Sequence, residues 1–116
     1  MSYEPYIKVE DGLTRCAGNK KLFAKLLKSF GNYASSFAQI KDEINAGEQE
    51  KAKETVHSLK GITGNLSLNL LYEKLVAIES GMKEGIYDVA PVLELEQDLV
   101  ETQTKIELLI SEFEAV

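Results

Sequence analysis

The chain predicts an all-α fold, an antiparallel four-helix bundle with a short N-terminal helical segment, on three observations. Apolar side chains recur at spacings of three and four over four long stretches, the pattern of helices that each bury one stripe. The connections between these stretches are short, at Gly47, at Ser67 and between Gly81 and Asp88, which makes successive helices antiparallel neighbours. With 116 residues, 44% of them hydrophobic, and only eight glycines and two prolines, the chain can build one core, so residues 1–116 are read as a single domain.

Taken in order, residues 1–8 hold Pro5 and no periodicity, and are expected as an extended arm. A helical turn is expected over 9–16, with Gly18 ending it and Asn19 capping the first long helix, 19–46. There Leu22, Leu26, Phe30, Tyr33, Phe37, Ile40 and Ile44 form the seam, Gly31 either bends the helix or is a tolerated surface glycine, and Gly47 closes it. The second helix spans 48–66, and Ser67 is placed to cap the third, 68–84, whose stripe is Leu68, Leu71, Tyr72, Leu75, Ile78 and Met82. After Gly81 and Gly85 the chain turns, Asp88 is a candidate cap, and Pro91 is tolerated in the first turn of the last helix, 89–114. Its seam is Val92, Leu95, Leu99, Thr102, Ile106, Leu109 and Phe113.

The chemistry gathers in the second helix. At about 100° per residue, Ala52, Val56, Leu59, Ile62, Thr63 and Leu66 fall on its buried side. Lys53, Glu54, His57, Lys60, Gly61 and Gly64 fall on the opposite side, so His57, the chain's single histidine, faces water. Interior glycine costs about 1 kcal/mol relative to alanine, and Gly61 and Gly64 share the histidine's face. Either Gly61 is tolerated and Gly64 sits near a helix end, or a partner must come close to the imidazole over a cleared surface that Lys53 borders. Lys60 stands one turn from His57. Its ammonium would repel a metal ion but suits an imidazole that comes to carry phosphate, because a neutral histidine is a usable nucleophile near pH 7.

These residues resemble a known pattern. His57-Ser-Leu-Lys60-Gly61-Ile-Thr-Gly64-Asn65-Leu66, preceded by Gly12-Leu13-Thr14-Arg15 and by Gly18-Asn19-Lys20-Lys21-Leu22-Phe23, is similar to the histidine-containing phosphotransfer (HPt) domains of two-component phosphorelays over nearly the whole chain. Ile62 and Gly64 depart from it, where the family more often has serine or alanine. The resemblance implies that His57 is the phosphoacceptor, that Lys60 neutralises phosphoryl charge, and that receiver domains of response regulators are partners, with a hybrid sensor histidine kinase as a further one. It places the magnesium ion on the receiver and no cofactor on this chain. Glu79 lies at the edge of the third helix's stripe, where it is either an ordinary boundary carboxylate reaching water or a lysine, or the acceptor of the His57 Nδ1–H. The family often has Gln or Glu 22 residues after its histidine in the second role, which favours that role here. Lys83, one turn beyond, is expected to be solvated.

Composition and motif exclude other classes. A formal charge of −6 argues against nucleic-acid binding. No run of about 18 apolar residues occurs, and no basic-then-apolar leader opens the chain; no membrane contact and a cytoplasmic location are expected. Cys16 alone makes no intramolecular disulfide and is expected to pack near the first turn. With no glycine-rich phosphate loop the chain has no means of using ATP, so a phosphocarrier is expected rather than an enzyme with its own turnover. Three other readings share some of these features. Glu54-x-x-His57 has the spacing of di-iron bundles, which need a second histidine. A sensor-kinase dimerisation pair typically has an acid after the histidine and a proline beyond, whereas Ser58 follows here, and a monomer is expected. A docking-only helical adaptor shares the cleared face and differs only in leaving His57 and Lys60 unused.

Overall fold

The computed structural model describes residues 2–115, which fold into six α-helices and one 3₁₀ turn, with no strand among the described residues. They are α1 (Val9–Arg15), α2 (Lys20–Ser29), the 3₁₀ turn (Phe30–Tyr33), α3 (Ala34–Asn45), α4 (Gln49–Asn65), α5 (Asn69–Lys83) and α6 (Ala90–Glu114). The chain is all-α. Among the described residues no helix is long and apolar enough to cross a membrane. Along α6 all seven residues of the expected seam are buried, and this helix packs on α2, α3 and α5, while α4 lies between α3 and α5.

Helix ends explain the chain's turns. Four helices close with the same pair of backbone hydrogen bonds, in which the second residue past the C-cap donates three residues into the helix and the first donates two. After α3 the bonds are Glu48 N–H to Glu43 O and Gly47 N–H to Ile44 O, and after α5 they are Ile86 N–H to Gly81 O and Gly85 N–H to Met82 O. The pattern needs a left-handed residue, which Gly47 and Gly85 supply at φ +74° and +86°. After α1 and α4 that position is taken by Ala17 (φ +53°) and Ser67 (φ +59°), which carry a side chain there. So Ser67 ends α4 rather than capping α5, whose N-cap is Leu68 without a side-chain bond. Asp88 is likewise not a cap: α6 begins one residue later, from Val89, with Pro91 in its first turn. Asn19 caps α2 as expected, accepting from Leu22 N–H at 3.0 Å.

Two further expectations are corrected. The 19–46 helix is broken at Phe30–Tyr33, around Gly31, and its first half buries Phe23, Ala24, Leu27 and Phe30, leaving Leu22, Leu26 and Tyr33 exposed. A 3₁₀ turn advances 120° per residue against 100° in an α-helix, so four residues shift the stripe by about 80°. Nor are residues 2–8 an extended arm (Met1 lies outside the described residues). Tyr6 and Ile7 N–H both bond Tyr3 O at 3.0 Å in a turn that buries Tyr3 and Ile7 against the core. The Tyr3 hydroxyl donates to Glu112 on α6, whose carboxylate, with burial, pushes the phenol up to about 12.

Helix α1 meets α2 through Gly12, which is buried with no room for a side chain. A Cβ there would overlap the buried Phe23 ring. Gly12→Ala is expected to cost about 1–3 kcal/mol through overpacking, read as a lowered urea midpoint at unchanged slope. An unchanged midpoint would mean that α1 shifts freely. Cys16, the C-cap residue of α1, is buried.

Candidate functional site

His57 projects from the middle of α4 and Glu79 from α5, 22 residues apart and evenly placed about Leu68, so the α4–α5 turn sets them side by side. The buried faces of the two helices force this register. Ala52, Val56, Leu59, Thr63 and Leu66 face inward from the α4 segment, as do Leu68, Leu71, Leu75 and Met82 from that of α5, while Ile62 and Ile78 are half-buried and Tyr72 is exposed. The His57 side chain is 70% exposed and that of Glu79 only 6%.

A carboxylate so buried needs partners, and Glu79 has two. Oε2 lies 2.7 Å from His57 Nδ1, and Oε1 accepts from Lys60 Nζ at 2.6 Å. The Lys60 hydrogen bond holds the carboxyl below its ordinary value of 4.5, with the His57 bond adding to it against the opposing effect of burial. Glu79 is therefore ionised at neutral pH and can only accept. It follows that Nδ1 carries the proton, and in the neutral ring the lone pair is on Nε2, away from Glu79. No protein family, curated protein or solved structure matches the chain.

The structure brings His57, Lys60 and Glu79 together. Lys60 is drawn onto Glu79, with 25% of its side chain exposed, rather than standing free beside the imidazole. An ammonium has three donors, so two remain for another acceptor. Lys83 is 64% exposed, with Nζ 4.0 Å from Glu79 Oε1, at the outer edge of this cluster. Lys53 is half-buried one turn before His57 on the same face. Gly61 is open, with nothing within 4 Å of where a Cβ would be. Gly64 has a different reason to be bare: a Cβ there would lie 3.0 Å from the Tyr72 ring, so an α5 side chain already covers part of the surface expected to be clear.

Tyr72, read as a core residue in sequence, thus belongs to this face. The signal for it was Gly64 itself, since a glycine inside a packed helix marks close approach by a neighbour. The sequence also gave no sign of Ser67 and Asp11, whose side chains bond at 2.6 Å and fasten α1 to the end of α4. Among the described residues no group of three or more His, Cys, Asp or Glu is placed to hold a metal ion.

Proposed function

We propose that the helices form an antiparallel four-helix bundle that acts as a phosphocarrier of the HPt kind, relaying phosphate between aspartates of receiver domains. The observation that carries this reading is the exposed imidazole whose Nδ1–H is committed to a buried carboxylate, leaving the Nε2 lone pair toward solvent.

In this reading Nε2 attacks the phosphorus of an aspartyl phosphate on the partner. The N–P bond forms as the P–O bond to the aspartyl carboxyl breaks, and the aspartate leaves as a carboxylate. Nδ1 keeps its proton, so the phosphorylated ring is cationic and faces the Glu79 anion 2.7 Å away. Attack by a second receiver's aspartate reverses the step and returns a neutral ring. Such a transition state is loose, so catalysis is positioning and charge neutralisation, which Glu79 and the two remaining Lys60 donors supply. The resemblance assigns the magnesium ion to the receiver. A hybrid sensor histidine kinase as an upstream partner, a monomeric state and a cytoplasmic location complete the proposal.

The test is to incubate the chain with a phosphorylated receiver domain and magnesium, looking for acid-labile, alkali-stable phosphate. Absence of label with several receivers in a folded sample would shift the reading to a docking-only adaptor. Lys60→Ala is expected to slow transfer, or shorten the phosphohistidine lifetime, by about ten- to a hundredfold. That is the worth of one charge-assisted hydrogen bond of about 1.5–3 kcal/mol. The helical spectrum should be retained, because the Glu79 bond to His57 remains. Unchanged rate and lifetime would make the lysine incidental.

A further inference from the structure

Beside the histidine face, between α1 and the α4–α5 turn, lies an open cleft of about 510 Å³ whose charge is opposite to that of the chain. The protein carries 19 acidic and 13 basic residues, yet the charged residues lining this cleft are Lys8, Arg15 and Lys60 against Asp11 alone, and even with Lys60 paired to the buried Glu79 behind the lining the balance stays positive. Asp11 is already engaged, its Oδ2 accepting from the Ser67 hydroxyl at 2.6 Å and from Arg15 Nε at 3.1 Å. Those two bonds hold its carboxyl below the usual range, Ser67 contributing most. Arg15 spends one of its five N–H donors on that bond, and Lys8 is exposed.

The cationic wall is built rather than loose. Lys8 N–H donates to Ser67 O at 2.9 Å, and with the Asp11–Ser67 bond this pins α1 to the turn at two points. Tyr72 forms part of the opposite lining, and Asn65 and Asn69 add amide donors. Lys60, Gly61 and Gly64 belong both to the cleft and to the face of His57. A protein that brings an aspartyl phosphate to Nε2 across Gly61 therefore lays its neighbouring residues over the cleft.

We propose that this cleft seats an acidic segment of the protein partner, so that docking is fixed at α1 and the α4–α5 turn as well as at the histidine. The inference rests on the reading that a protein partner covers His57's face, and it adds the place and charge of the second contact. Opposite charge in a concave site orients a partner and speeds its encounter, with strong dependence on salt.

The test uses the full chain labelled with ¹⁵N and the acetylated hexaglutamate amide as probe, with inorganic phosphate titrated in parallel, at about 50 mM salt. The expected result is saturable shifts at Lys8, Arg15, Asn65 and Asn69, a Kd at least tenfold weaker in Lys8→Gln/Arg15→Gln, and no comparable response to phosphate. Asn69→Glu, which places a carboxylate favourably in the first turn of α5, should block binding to the same extent, so the outcome does not hang on one variant. Helix α2 is an internal competitor, because Lys20, Lys21, Lys25 and Lys28 stand on it with no acid. Strongest shifts on α2, equal shifts from phosphate, or unweakened binding by both variants would overturn the proposal. Nothing in this measurement requires phosphate on His57, so its failure and a failure of labelling are separate results.

Discussion

His57→Gln is expected to accept no phosphate from a phosphorylated receiver while melting close to the wild type. An amide nitrogen has no available lone pair for attack on phosphorus, so the loss should be complete rather than graded. The fold should survive because the side chain is 70% exposed and fills no core position. Glutamine can still donate one N–H toward Glu79, and surface substitutions of this kind usually change stability by about 0.5 kcal/mol or less. Radiolabel transfer followed by acid and alkali treatment, beside a thermal melt of the same sample, checks both halves. Full labelling of the variant would place the acceptor elsewhere.

The second large effect is at Glu79. Glu79→Gln exchanges an acceptor of two charge-assisted hydrogen bonds for an amide that can accept on one side only and turns a donor toward the other. One of Lys60 and His57 Nδ1–H then loses its partner, and the imidazole is free to take the other tautomer. Loss of one such bond is worth about 1.5–3 kcal/mol, which sets the expected fall in transfer at about ten- to a hundredfold and a stability loss of similar size at pH 7. The pH dependence has a definite sign. The carboxyl is held below 4.5 in the folded protein, chiefly by Lys60. Its stabilising contribution is therefore present in full above that value and fades as pH falls through the folded value. Urea denaturation at pH 7 and pH 3 should show the gap between wild type and variant closing in acid. A gap that stays constant would mean that the charge on Glu79 contributes nothing to folding.

How much could be read from sequence varies along the chain for physical reasons. In α6 the whole seam from Val92 to Phe113 was legible because one uninterrupted helix keeps its phase over 25 residues. Leu22 and Leu26 were misplaced because the 3₁₀ turn resets the phase, and a seam extrapolated backwards through it lands on the wrong face. Tyr3 and Ile7 carry too short a segment for periodicity to register, and their burial depends on a surface that only α1 and α6 together create. At the site, the residues alone left Glu79 either a boundary carboxylate or the partner of His57, and the resemblance favoured the second; the tight, nearly symmetric turn between the two helices is what sets the pair side by side. That Lys60 also lands on Glu79 was not, since the choice between a buried carboxylate and open water depends on how far Glu79 sinks between the helices. Ser67 was misread because serine's common role at helix starts hid a left-handed backbone that its sequence neighbours do not announce.

That residue has a dynamic consequence. The terminal turns of helices ordinarily open at almost no free energy, and an imidazole on such a helix would ride on a base that frays. Here Lys8 N–H and the Asp11 carboxylate both end on Ser67, so α4 cannot unwind from its C-terminal end unless residues 8–11 undock with it. Opening of that last turn becomes a cooperative event shared with the N-terminal segment. Amide exchange at Leu66 and Leu68 is expected to be as slow as in mid-helix, and to accelerate in Ser67→Ala. The chain's beginning thereby serves as the clamp that keeps its reactive helix stiff.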